Sequence, residues 1–137
     1  MALGTPSIEQ ARRSVRTVDS ARALVATVMS PSAGSRAALL PGLEAVDRFL
    51  EARTIEDFQA AGLRLDIHYV DFGFLASWLD EVIEDAELAQ LVRDLHDTGQ
   101  VFGDLVPQVK AIVRERIDQC DAQLAAIGES RKVPAGE

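Results

Sequence analysis

Between Asp104 and Gly128 one apolar stripe runs without a break: Val109, Ile112 with Val113, Arg116 with Ile117, Cys120, Leu124 and Ile127. Apolar residues three and four apart lie on one face of an α-helix, because a turn takes 3.6 residues. The punctuation agrees. Asp104 precedes Leu105, Pro107 stands in a first turn where a missing N–H does no harm, and Gly128 supplies a stop. At ~1.5 Å per residue such a helix is roughly 36 Å long. A rod with a single apolar face must bury that face against other elements, and helices are the partners the rest of the chain offers.

Thr5-Pro6, or Ser7 with Gln10 three residues on, opens a first helix whose face reads Ile8, Ala11, Val15, Val18, Val25 and Met29. Arg22 is the one flaw in that face. Residues 30–35, Ser-Pro-Ser-Ala-Gly-Ser, make a loop. A second helix carries Leu39, Leu43, Val46 and Phe49 with Leu50, and Pro41 places its regular start near Leu40. Thr54 caps another, with Glu56 and Asp57 in its first turn. Asp85 caps the run Leu88, Leu91, Val92, Leu95, which ends at Asp97-Thr98-Gly99.

Residues 62–74 fit two patterns. Leu63, Leu65, Ile67 and Tyr69 alternate with Arg64, Asp66, His68 and Val70 as a strand would, between Gly62 and Gly73. Leu65, Tyr69, Phe72, Ala76, Leu79 and Ile83 also line one helical face. A single strand needs a partner, and the pattern offers no second strand, so the reading is helix with a bend at Gly73. The expected fold is therefore all-α: a bundle of four to six helices, with at most one short strand near 63–70. Residues 1–128 make a single domain, and residues 129–137 a disordered tail.

The formal net charge is −8. That acidity argues against nucleic acid and against anionic membrane surfaces as partners. Its distribution is uneven. Residues 1–36 hold five Arg against Glu9 and Asp19, whereas residues 44–104 hold fifteen Asp and Glu against four Arg. Pairing of the basic start with the acidic middle inside the chain is the expected use of this asymmetry. A basic partner is the other. The single Cys120 excludes an internal disulfide and a cysteine-based zinc site. No run approaches the ~20 apolar residues of a membrane span, and the start lacks the pattern of a signal peptide. These features place the protein in the cytoplasm.

Catalytic motifs are missing. The chain has no Walker-type phosphate loop, no glycine-rich dinucleotide fingerprint, no HExxH and no Glu with His three residues on. Neither a metal nor a cofactor is expected. The acidic knot Asp80, Glu81, Glu84, Asp85, Glu87 lacks calcium-loop spacing and reads as a solvated face with caps. Cys120 reads as a small core hydrophobe.

The densest set of usable groups is Arg64, Asp66, His68, Tyr69 and Asp71, inside the most aromatic part of the chain. In a helix, Arg64, His68 and Asp71 share a face, and a carboxylate one turn from a histidine can orient it as a general base. His68 and Asp71 are the catalytic candidates. Arg64, Asp66, Tyr69, Phe72 and Trp78 are the ligand-binding candidates, with the aromatics as pocket wall. The same residues equally describe an aromatic core beside a salt-bridged face. The leading expectation is a non-enzymatic interaction module: a dimerising adaptor, an inhibitor or antitoxin-like protein, or a chaperone-like subunit for a protein partner. It is expected to be a homodimer with helices at the seam. The alternative is a small-ligand-binding bundle or small enzyme centred on Asp66, His68, Tyr69 and Asp71.

Overall fold

The computed structural model describes residues 3–31, 33–50 and 66–129. The order of its elements is α1 (Ile8–Val15), β1 (Leu24–Ser30), β2 (Gly34–Leu40), α2 (Leu43–Phe49), β3 (Ile67–Tyr69), α3 (Phe72–Trp78), α4 (Ala86–His96) and α5 (Phe102–Ala126). A π-helical turn, Leu79–Ile83, joins α3 to α4. Among the described residues, five α-helices and one three-stranded antiparallel sheet make this a mixed α/β fold, and the all-α expectation is corrected. The expected caps at Thr54 and the strand residues Leu63 and Leu65 lie outside the described residues, as does the tail beyond Glu129.

The first correction falls in residues 16–40. The expected long first helix ends at Val15, and Leu24–Ser30 is a strand. Val18, Val25 and Met29 are spaced seven and four apart, which suits a helix face, but Leu24, Ala26 and Val28 are the buried residues. The true period there is two. Leu39 belongs to the partner strand, paired with Val25. The hairpin turn falls inside the expected loop 30–35, of which Ser30, Gly34 and Ser35 belong to the strands, and Gly34 takes a left-handed φ of 77° that side chains resist. The hairpin supplies the partner that the strand at 67–69 seemed to lack. β3 pairs with β1, giving the order β2-β1-β3.

Leu24, Ala26, Val28 and Leu40 face inward, in one core with Val46, Phe72, Leu75, Leu79, Leu88, Val92, Val109 and Val113. The helices after α1 deliver their apolar faces to that core, while α1 makes a smaller cluster of Ala11, Cys120 and Leu124 with α5. Trp78, expected as pocket wall, is buried in the main core, and its indole N–H donates to Arg22 O at 2.8 Å. Asp85 caps α4 as anticipated, accepting from Leu88 N. Gly128 closes α5 with a left-handed φ of 81°, and Glu129 N reaches back to Leu124 O at 2.8 Å. α5 begins two residues earlier than Asp104, so Pro107 lies beyond its first turn. The carbonyl deprived of a donor is that of Gly103, an exposed residue that water reaches.

The π turn ends at Glu84 in the left-handed region, φ 65°. A non-glycine residue there costs about 1 kcal/mol or more. Arg16 offsets that cost by donating to Val82 O and Ile83 O, the carbonyls left without helical donors, and pairs with Glu84 at 3.1 Å. Here the basic start of the chain meets the acidic middle within the molecule.

Arg116 is the only cation fully buried among the described residues. Its guanidinium reaches Asp85, Glu87, Gln119 and the carbonyl of Gly4. Nε stands 2.9 Å from Asp85 Oδ2, but its N–H is not aimed at that oxygen, so this contact is ionic without being a hydrogen bond. Ser14 adds an O–H donor to Asp85 at 2.6 Å, which joins α1 to the same cluster. Arg116→Met would leave the Asp85 charge buried without a cation. The expected loss is about 3–5 kcal/mol in urea unfolding. Leu124→Ala, which opens the α1–α5 cluster, is expected to cost about 2–5 kcal/mol in the same assay. A change below about 0.5 kcal/mol would show that this end of the helix is not packed.

Candidate functional site

His68 lies on β3, the central residue of a strand, opposite Val28 of β1. Its ring stacks on Phe49, with centroids 4.6 Å apart, and Nδ1 is 2.9 Å from Phe49 O. That carbonyl is at the C-terminus of α2, so His68 helps close a helix end. The expected contact with Asp71 required a helical turn between them. A strand replaces that turn, which corrects the geometry on which the pairing depended. Arg64 lies outside the described residues. Asp66 stands 4.0 Å from Arg36, a partly exposed pair between β2 and the start of β3.

Asp71 caps α3, its Oδ1 accepting from Phe74 N at 3.0 Å. The imidazole brought to it is that of His96, the last residue of α4. A methyl group added at Gly73 would stand 3.0 Å from Asp71 Oδ1 and 3.4 Å from His96 Nε2, so these two polar atoms flank one point. Around them opens a cleft of about 170 Å³ whose lining includes Tyr69, Asp71, Phe72, His96, Gln100 and Phe102. Phe102 stacks on Phe72 with centroids 5.0 Å apart and meets the Tyr69 ring at 4.8 Å. Three sequence candidates, Tyr69, Asp71 and Phe72, thus share one site. His96, Gln100 and Phe102 join them from 24 to 33 residues away, and no local pattern could announce them.

A larger groove of about 350 Å³ lies between α4 and α5, lined by Leu91, Asp94, Leu95, Thr98, Gln108 and Ile112. Its polar groups serve each other and the helix ends. Asp94 accepts from Gln90, Thr98 donates to Leu95 O, and Gln108 donates to Gln100 and to Asp104 O. Among the described residues no group of three or more His, Cys, Asp or Glu is arranged to hold a metal ion. No described helix is long and apolar enough to cross a membrane.

The second surface feature is the outer side of the sheet. Val25, Met29, Leu39, Ile67 and Tyr69 all point away from the core, and each is 38–60% exposed. On the hairpin half of this face no acid intervenes: residues 20–43 contain Arg22 and Arg36 and no Asp or Glu. Comparison with known protein families, curated proteins and solved structures finds no match.

The remaining reactive group is Cys120. It is buried beside Ser14 and Arg116, and burial pushes its thiol up to about 11. A thiol so placed is a poor nucleophile at neutral pH. Because the folded value exceeds the unfolded one, the neutral thiol's contribution is complete below about pH 9. It declines as pH rises through about 11. The expected slope over that window is about 1.4 kcal/mol per pH unit, measured as the stability difference between the wild type and Cys120→Ala. A difference that stays flat from neutrality to pH 11 would contradict the raised value.

Proposed function

We propose that this chain is a cytoplasmic, non-enzymatic interaction module that acts as a homodimer, joined through the outer face of the β1–β2 hairpin. The observation that carries this reading is that Val25, Met29 and Leu39 stand exposed together on a stretch of chain without acidic residues. Elsewhere a second copy of a protein with net charge −8 meets like charge. On the outer face of the hairpin it meets Val25, Met29 and Leu39 on a stretch without acidic residues, and a two-fold interface needs only that the patch be complementary to itself. Adjacent exposed apolar side chains of this kind are what association buries. β2 is also a seven-residue edge strand without Pro or Lys, whose one charge is Arg36.

The expected seam between helices loses its basis. The apolar face of α1 is taken up by α5 within the chain, through Ala11, Cys120 and Leu124, with Ile8 and Val15 beside them. The alternative centred on Asp66, His68, Tyr69 and Asp71 needs four groups around one volume. His68 faces Phe49 and Asp66 faces Arg36, which leaves Tyr69 and Asp71 at the cleft.

Sedimentation equilibrium at high micromolar concentration should give twice the chain mass of 14.8 kDa. Leu39→Glu, at an exposed position on an edge strand, should give the monomer with an unchanged circular dichroism spectrum. A wild-type particle of 14.8 kDa at that concentration would overturn the proposal.

A further inference from the structure

We infer that the cleft between β3, α4 and α5 is a binding site for a small organic ammonium ion, held by Asp71 against the rings of Tyr69 and Phe102. The inference does not rest on dimerisation, since Val25, Met29 and Leu39 of the proposed seam line no part of the cleft.

The chemistry follows by elimination. The Tyr69 hydroxyl and the His96 ring make no hydrogen bond to any described residue. Asp71 spends Oδ1 on its cap, and Oδ2 has no bond of that kind. The open valences are thus a carboxylate oxygen, an imidazole and a phenol, in a cleft with an aromatic wall. An anion would meet the Asp71 charge. A metal ion would need a third donor of the His, Cys, Asp or Glu type, and none is arranged there among the described residues. An alkylammonium group satisfies what remains. It donates to the carboxylate and the ring nitrogen, lays its methylenes on Phe102, and gains from the negative faces of the aromatic rings.

Electrostatics point the same way. His96 closes α4, whose C-terminal carbonyls carry the negative end of the helix dipole, and Asp94 and Asp97 flank it. Size sets the limit. At about 170 Å³ the cleft is smaller than the usual ~300–1,000 Å³ of a ligand site, so it takes an amine the length of a lysine side chain and little more. Such a group arrives either as a free amine or as a lysine of another protein.

The test is a ¹H–¹⁵N chemical-shift titration of the full chain. The probes are n-butylammonium chloride, capped lysine amide, and n-butanol as the uncharged control. Saturable shifts at Tyr69, Gly73, His96 and Phe102 with either cation, and none with butanol, are the expected result. The tighter of the two cations identifies the source as free amine or side chain. Asp71→Asn keeps the cap, because Asn serves as well as Asp at that position, and removes the charge. It should weaken binding roughly tenfold or more. Gly73→Ala places a methyl group between Asp71 and His96 while favouring the helix, and should weaken binding without loss of fold. Equal shifts with butanol, shifts that do not saturate with either cation, or unchanged affinity in both variants would overturn the inference.

Discussion

The buried pair of Arg116 and Asp85 is the contact on which the arrangement of helices turns. Two charges taken out of water cost several kcal/mol each unless their remaining valences are met. Here they are met by the rest of the fold. Asp85 accepts from Leu88 N and from the Ser14 hydroxyl while it faces Arg116. Arg116 in turn reaches Gly4 O and Glu87. The Gly4 N–H donates to Glu87, and this, more than the bond from Arg116, holds the Glu87 carboxyl below its usual range. One cluster therefore fixes α1, α4, α5 and the segment before α1 at a single mutual position. Gln119 and Gln123 extend the fastening by donating to Leu3 O and Pro6 O, so the first residues run beside α5 in the same direction. An apolar core tolerates sliding of one helix along another. A buried ion pair whose partners come from α1, α4, α5 and the segment before α1 does not.

A second tie, less buried, starts within two residues of Arg116 and joins α5 to α2. Asp47 of α2 accepts from Arg114 at 3.0 Å, and Lys110 reaches both its carboxylate and its backbone carbonyl. With α2 held there, the end of that helix presents Phe49 to His68. The histidine that looked chemically promising is thus an anchor between the sheet and α2. The route from sequence to candidate site runs through the same scaffold: β1 positions β3, β3 aims Tyr69 outward, and α4 and α5 bring His96 and Phe102 beside it. The cleft exists because Asp71 begins a helix where a strand has just ended.

Much of the helical part was legible. The stripe from Val109 to Leu124 is buried along its length, Asp85 caps α4, and Gly128 ends α5. These are local matters: a 3.6-residue period, an oxygen three residues before an N–H, a residue able to take positive φ. The hairpin escaped for an equally physical reason. Val25 and Met29 are four apart, which serves a helix face as well as every second position of a strand does. β2 reads Gly-Ser-Arg-Ala-Ala-Leu-Leu, a sequence without β-branched residues to mark it. Its strand conformation comes from pairing with β1, not from its own preferences.

What the sequence determined by itself is the set of helices from Ala86 onward, the polar and apolar sides of each, and an acidic surface interrupted between residues 20 and 43. What only the tertiary structure decided is which residues meet. A strand needs a partner distant in sequence, and the pairing of Val28 with His68 spans forty residues that carry no common pattern. The same holds for the cleft. Asp71 with His68 is a neighbour relation that a helix would have created. Asp71 and His96 reach one cleft from two helix ends, where α3 and α4 pack together, and packing is a property of surfaces in space that periodicity along one segment does not encode.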